Sequence, residues 1–429
     1  MARRSQLTWL VTVAALVAAP LSAQSWCQPQ KADSGYVALT GVTLWDGTGT
    51  PARSHTTILL HGERLAGVFA DGAEPLPPGT DERPLDGKYV IPGLIDAHVH
   101  VATDPSGEDS RVRTERRLCR ALLGGVTAVR DMAGDVRALA SLQRDSRVGD
   151  IAAPDLYYAA LWAGPAFFAD PRAAAASAGE TPGSLPWMRA IDSTTGLHQA
   201  VAEARGTGAT AIKLYAALTP KDVSATVAES HRQHLPVWAH AAMSAVSPPQ
   251  MVAAGVDAVS HASLLLRALG TEGYAAQMKD STGAMRGRFD LPVFDSLFAE
   301  MRRRGTLFEQ TLFIYGGERE KLLPYAAEIT RRASQLGVPI LAGTDSVGSG
   351  DEGGWQQPNL HQELRLLVQE AGMSGESALT AATRNAAQAL SALSDRGTVE
   401  AGKLADLVIL DADPLKEIGN TATVRQVVK

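Results

Sequence analysis

Cysteine is nearly absent from this chain of 429 residues, which has only Cys27 and Cys119. Two sulfurs cannot make the disulfide framework of a small secreted domain. Cys119, inside the helical pattern Arg113–Leu123, is expected to act as a small buried apolar residue. A basic surplus is missing too. Lys and Arg number 40 against 46 Asp and Glu, for a formal charge of −6, and aromatics make up 5% of the chain. No basic stripe is interleaved with aromatic residues, so nucleic acid is not an expected partner. The short runs Arg302-Arg303-Arg304 and Arg331-Arg332 fall in polar helical patterns and read as solvated helix faces. Beyond the first residues there is no apolar stretch near the ~20 residues a membrane-spanning helix needs, and no repeat of solenoid length.

The one sustained apolar run lies at the start. Arg3 and Arg4 precede Leu7–Ala19, and Leu21-Ser22-Ala23 offers a small-residue cleavage site. This pattern predicts a signal peptide over 1–23 and export to the periplasm or the medium, with an uncleaved anchor as the alternative. Gln24-Ser25-Trp26 is a poor lipoprotein box before Cys27, so no lipid anchor is expected.

After the leader, Tyr36–Trp45 and Thr56–Phe69 alternate as strands between Gly and Pro turns. The far end repeats that character through Leu404–Leu410 and Val424–Val428. Together, 36–90 and 396–429 predict a small β-sandwich domain built from both chain ends. Residues 91–395 change to strands alternating with helices, the signature of parallel βα units. Strand starts are expected at Leu94, Val126, Asp155, Ala211, Pro236, Ala258, Leu307 and Ile340. Eight such units predict an α/β fold, a (β/α)8 TIM barrel, whose usual size is ~250 residues before insertions. A doubly wound open sheet is the alternative. Two long stretches, Trp162–Gly196 and Ala262–Asp290, read as substrate loops, and Trp162, Phe167, Phe168 and Trp187 as an apolar or aromatic wall.

Polar residues collect at the strand ends. The run Tyr89–Ala97 closes in His98-Val99-His100, and the two-residue period of a strand aims both imidazoles the same way. Ala211-Ile212-Lys213-Leu214-Tyr215 carries a lysine inside an apolar run. Val237-Trp238-Ala239 ends at His240, Val259-Ser260 at His261, and Ile340–Thr344 at Asp345. Barrel active sites lie at the carboxyl ends of the strands. Four histidines and an aspartate on one rim are nitrogen and oxygen ligands of the kind zinc accepts.

On these residues the chain resembles the amidohydrolase superfamily, through Pro92–His100, Lys213, His240, His261 and Gly343-Thr344-Asp345-Ser346. Ala381–Ala387 and Gly402–Leu407 are also similar to its pattern. It looks most like the imidazolonepropionase-related branch that includes metal-dependent prolidases. The resemblance implies two divalent ions, with zinc the first expectation and manganese or cobalt alternatives. By it, His98, His100 and Asp345 would hold one ion, His240 and His261 the other. Lys213 would bridge them as a carbamate derived from carbon dioxide, since an ammonium has no lone pair to give; a salt-bridged lysine is the alternative.

The implied chemistry is hydrolysis of an amide-type bond in a dipeptide, Xaa-Pro or N-acyl amino acid substrate. Two ions ~3.5–4 Å apart would supply hydroxide near neutral pH, with Asp345 as the catalytic proton shuttle. Tyr215 and His361 are the candidate substrate-binding residues, set against a barrel-filling aromatic and a surface helix histidine. Arg130-Asp131 reads as a structural ion pair. A mononuclear deaminase or cyclic amide hydrolase of the same superfamily is the alternative function, and a non-catalytic binding homologue a further one. The deaminases typically carry a glutamate three residues after the strand-five histidine, where this chain has Met243. A homo-oligomer stays open.

Overall fold

The computed structural model describes residues 35–102, 110–177, 179–279, 291–346 and 356–429; the expected leader and Cys27 lie outside them. Eight parallel strands follow one another around a barrel: Leu94–Val99, Val126–Asp131, Asp155–Ala163, Ala211–Leu214, Val237–His240, Ala258–Ser260, Leu307–Glu309 and Ile340–Leu341. Seven begin where the sequence pattern places them and the fifth begins one residue later. The strands are buried on both faces, the state of a parallel sheet wrapped by helices. Closure comes from the first strand meeting the chain beyond the eighth. Ala97 N–H donates to Ala342 O at 2.9 Å, Asp345 N–H to His98 O at 2.8 Å and His100 N–H to Ser346 O at 2.9 Å.

All eight strands contribute to one interior cluster, in which Trp238 is packed amid Ala128, Ala159, Ala211 and Ala258, with Ile95, Leu307 and Leu341. Small residues on neighbouring strands leave room for the one indole, so the lower barrel is filled and is not a pore. Two residues further along their strands, on the same inward face, stand Arg130, Lys213, His240, Ser260 and Glu309. A polar layer therefore rests directly on the apolar one. Helices cover the outside, among them Arg111–Leu123, Pro220–Arg232, Pro292–Arg304 and Leu360–Gln369. Thr219 and Asp222 form a reciprocal capping box at the start of Pro220–Arg232.

Both chain ends build a second, seven-stranded sheet. Its order runs Val424–Val428, Leu407–Leu410, Tyr89–Pro92, Tyr36–Leu44, Arg53–His61 and Arg64–Ala70, with Asp81–Pro84 beside Tyr36–Leu44. Tyr89–Pro92 lies between strands of both ends and runs on through Gly93 into the first barrel strand, so the small sheet anchors the strand that bears His98. No helix among the described residues is long and apolar enough to cross a membrane.

Two expectations need correction. Cys119 is buried, but it is disulfide-bonded and not a free apolar thiol; spacing along a chain does not reveal which sulfurs a fold brings together. His361 does not reach the strand-end rim and is not on the surface either. It is 1% exposed, its Nε2 donates to Gly124 O at 2.9 Å, and its Nδ1 lies 3.0 Å from Thr421 Oγ1. Gly124 precedes the second barrel strand, at the opposite end of the barrel.

Burial lowers the His361 pKa from 6.5 to about 4. The folded chain thus holds this proton less tightly than the unfolded chain does. The resulting stability is complete above about pH 6.5 and is lost as the pH falls toward 4, at no more than about 1.4 kcal/mol per pH unit. Denaturant unfolding at pH 4.5, 5.5 and 7 should show His361→Gln with a shallower pH slope than wild type; equal slopes would remove His361 as the source.

Candidate metal centre

The first strand reaches the rim with an irregular register. Its pairing with the second strand shifts between Asp96 and Val99, which lets Ile95 enter the lower core while His98 enters the polar layer. Asp96 pins this stretch. It accepts from Thr344 N at 3.0 Å, from Thr344 Oγ1 at 2.8 Å and from His98 N at 3.2 Å, tying the first strand to the chain after the eighth. Burial pushes its carboxyl up to about 6, against those hydrogen bonds.

Asp345 sits among the imidazoles. Its carboxylate is 3.2 Å from His98 Nε2, 3.1 Å from His100 Nε2 and 3.8 Å from His261 Nδ1. The two Nε2 atoms of His98 and His100 are 3.2 Å apart. The ring of His261 lies 5.2 Å from that of His98 and 4.8 Å from that of His240. His98, His261 and Asp345 have ligand atoms all within 4.8 Å of one another, a group that could hold a metal ion. This trio takes a histidine from each of the two expected pairs and centres them on one carboxylate. Lone pairs of several nitrogens and a carboxylate turned toward one point, with few other donors near, are a donor set that fits a divalent cation.

Lys213 is 1% exposed and donates to Ser260 Oγ at 3.1 Å. Burial lowers its pKa to about 7, only partly opposed by Glu309 and Asp345, with Arg130 adding to the fall. His240 and His261 are also lowered, first by burial; Lys213 and the neighbouring imidazoles add to the fall while Asp345 opposes it, most strongly at His261, and both rings are left neutral. Burial works against the charge on Asp345 as well, but His98 and the hydrogen bonds from His100 and His98 outweigh it and hold the carboxyl well below the usual range.

Backbone strain gathers here. His261, Thr311 and Asp345 have φ of 75°, 52° and 53°, a left-handed conformation that costs a side chain of their kind about 1–3 kcal/mol. Thr311 Oγ1 lies 3.0 Å from His261 Nδ1, so two of the strained residues fix each other.

All six expected ligands border one cavity of about 670 Å³, together with Tyr215. Tyr215 packs at a tilt against His240 at 4.3 Å and Phe167 at 4.8 Å between ring centroids. Of the four aromatics expected to wall it, Phe167 alone lines the cavity. Trp162 is packed within its strand, Trp187 is buried, and Phe168 rests on Phe167. The remaining apolar wall comes from Leu161, Met188, Met243, Leu264 and Ile314, with Arg172 and Arg267 as its added cations and Asp345 the one carboxylate among the described residues that line it.

Glu309 escaped the sequence reading. It ends the seventh strand and is 0% exposed, with one oxygen on His98 Nδ1 and the other on Arg130. An acid closing an apolar barrel strand is the same signal that marked Asp345, so it was available in Leu307-Phe308-Glu309. Arg130 is therefore not paired with Asp131. Asp131 instead accepts from the backbone of Val101 and Ala133.

Comparisons with known proteins agree with this architecture. A model of the amidohydrolase family matches residues 89–429. Imidazolonepropionase of Thermoplasma volcanium is 40% identical over 82 residues, 19% of each chain, and that of Aromatoleum aromaticum 39% over 100 residues, 23% of this chain and 22% of the relative. The matches thus span about a fifth of these relatives' length. Among solved structures, a Xaa-Pro dipeptidase with bound methionine superposes with a TM-score of 0.68 at 20% identity, over 92% of this chain and 98% of the other. A prolidase complexed with N-methylphosphonate-L-proline gives 0.70 at 22% identity over 92% and 98%, and A. niger ochratoxinase 0.70 at 20% over 92% and 94%. At these identities the structural likenesses establish the fold.

Gly343 lets the site close. A Cβ there would fall 2.9 Å from His98 Cβ, 3.0 Å from His98 N and 3.1 Å from Glu309 Cγ. Gly343→Ala should lose about 1–3 kcal/mol in urea unfolding through overpacking and bind divalent ions more weakly in a chelator competition. Wild-type behaviour in both would show that the first and eighth strands tolerate separation.

Proposed function

This chain belongs to the amidohydrolase family, hydrolases acting on carbon–nitrogen bonds, and on that premise we propose that it is an exported enzyme cleaving an amide bond in a small dipeptide, Xaa-Pro or N-acyl amino acid. The observation that carries this reading is the convergence of His98, His100, Lys213, His240, His261 and Asp345 on one end of one cavity. On this reading these six residues would hold two divalent ions, zinc first, with a carboxylated Lys213 as a shared ligand. The burial that lowers the Lys213 pKa to about 7 favours reaction with carbon dioxide, which needs a free lone pair. Bound there, the ions would polarise the amide carbonyl and make water acidic enough to attack it.

The chain's own groups do the rest. Asp345, held ionised, takes a proton from the attacking water at its carboxylate and passes it to the amide nitrogen, so that the C–N bond breaks as the C–O bond is completed. Tyr215, against His240, borders the space where the substrate's polar end must lie. Leu161, Phe167, Met188 and Ile314 provide an apolar surface for its side chain and exclude water. Arg172, which pairs with Asp170, and Arg267 border the same space and suit a substrate's free carboxylate. Met243 lines the cavity where a deaminase of this family would need a glutamate. Export rests on the leader pattern of residues 3–23.

Elemental analysis of metal-loaded protein should find two divalent ions per chain, and a panel of dipeptides and N-acyl amino acids should include substrates. Asp345→Asn should lower kcat about 10²–10⁴-fold, and Lys213→Ala should remove most activity together with one ion. One ion or none after full loading, with no turnover across the panel, would overturn the proposal; a Lys213→Ala enzyme as fast as wild type would remove the bridge from it.

A further inference from the structure

Behind the candidate ligands lies a buried unit that the hydrolytic steps leave unused. Glu309 is 0% exposed and spends both oxygens, Oε1 on His98 Nδ1 and Oε2 on the Arg130 guanidinium. A carboxylate only accepts, so the proton of that first contact lies on His98 Nδ1, and Nε2, which hydrogen-bonds to Asp345, is the ring nitrogen left to face a cation. That nitrogen is the one turned toward Asp345 and His100. Glu309 Oε2 is also 3.5 Å from Ser260 Oγ, the hydroxyl that accepts a hydrogen bond from Lys213 Nζ at 3.1 Å. One carboxylate thus reaches the first-strand histidine directly and the fourth-strand lysine through one hydroxyl.

Its own position is fixed from behind. Arg130 is 0% exposed, donates Nε–H to Ala97 O at 2.5 Å and lies 4.5 Å above the Trp238 ring, so it cannot swing away. Gly343 leaves the space in which Glu309 and His98 meet. A bare counterion for Arg130 would need neither an oxygen on His98 nor a glycine at that contact.

We propose that Glu309 is a positioning residue for the metal centre: it fixes the tautomer and ring plane of His98 so that Nε2 faces a divalent cation, with Arg130 and Trp238 as its fixed support. This rests on the reading of His98 as a metal ligand. Hydrogen-bond partners of this kind set the orientation and basicity of metal-binding imidazoles, and their loss typically weakens metal binding or activity 10–100-fold. A positioning role acts on the ion itself and is visible without turnover.

The test uses the full chain stripped of metal and titrated with cobalt(II) against a chromogenic chelator, with the visible spectrum of the bound cobalt recorded. Glu309→Gln removes the anion but strands the Arg130 charge, so the double variant Glu309→Gln with Arg130→Met is measured beside it; neutral replacement of a buried ion pair is usually tolerated by the fold. Both should bind cobalt about 10–100-fold more weakly than wild type, with a shifted spectrum. If Glu309 served only to neutralise Arg130, the double variant would bind cobalt with wild-type affinity and an unchanged spectrum, and the proposal would fall. Wild-type protein that takes up no cobalt would instead overturn the metal-centre reading on which it rests.

Discussion

The seam where the first barrel strand meets the chain beyond the eighth governs the rest of the molecule. Three backbone hydrogen bonds, from Ala97, Asp345 and His100, close the barrel there, and the same bonds bring His98, His100 and Asp345 together from positions about 245 residues apart in the chain. Asp96 doubles the seam with its carboxylate on Thr344. Barrel closure and site assembly are therefore one event. The left-handed backbone at Asp345 is part of it, since the strand must turn sharply to aim that carboxylate at the imidazoles.

Above the alanine-lined lower core, inward positions of the strands become charged or ionisable within a single step of the two-residue period. Arg130, Lys213 and Glu309 are each 1% exposed or less. Burying charge costs several kcal/mol per ion unless it is paired and hydrogen-bonded, and the layer meets that demand by pairing Glu309 with Arg130 and His98. Lys213 meets it differently: burial lowers its pKa to about 7, so the charge is easily lost.

The cavity over this layer is mostly apolar, and its walls come from the loops that follow the strands. Phe167, Met188, Leu264 and Ile314 lie beyond the regular strands or in short pieces added to them. Chemistry and selection are thus carried by different parts of the chain. Strand ends hold the reacting groups where backbone hydrogen bonds restrain them on both sides, while loops shape the space and tolerate change more easily.

Much of this was written in local pattern. The eight strand starts, the two-ended sheet and the six rim residues all follow from apolar runs and from what ends them, because strand periodicity and burial are local properties. Glu309 carries the same signal in Leu307-Phe308-Glu309, but its importance lies in a contact with His98, 211 residues away. His361 shows the opposite case. A histidine following the eighth strand looks like a rim or surface residue, and only packing against Gly124 and Thr421 places it at the other end of the barrel. Local sequence determined which residues could serve as ligands and on which strands they stand. Tertiary structure decided that Asp345 lies among histidines of two different strands, that Arg130 belongs to Glu309 and not to Asp131, and that Phe167 alone of four aromatics faces the cavity. These depend on distances between segments far apart in the chain, which no local pattern encodes.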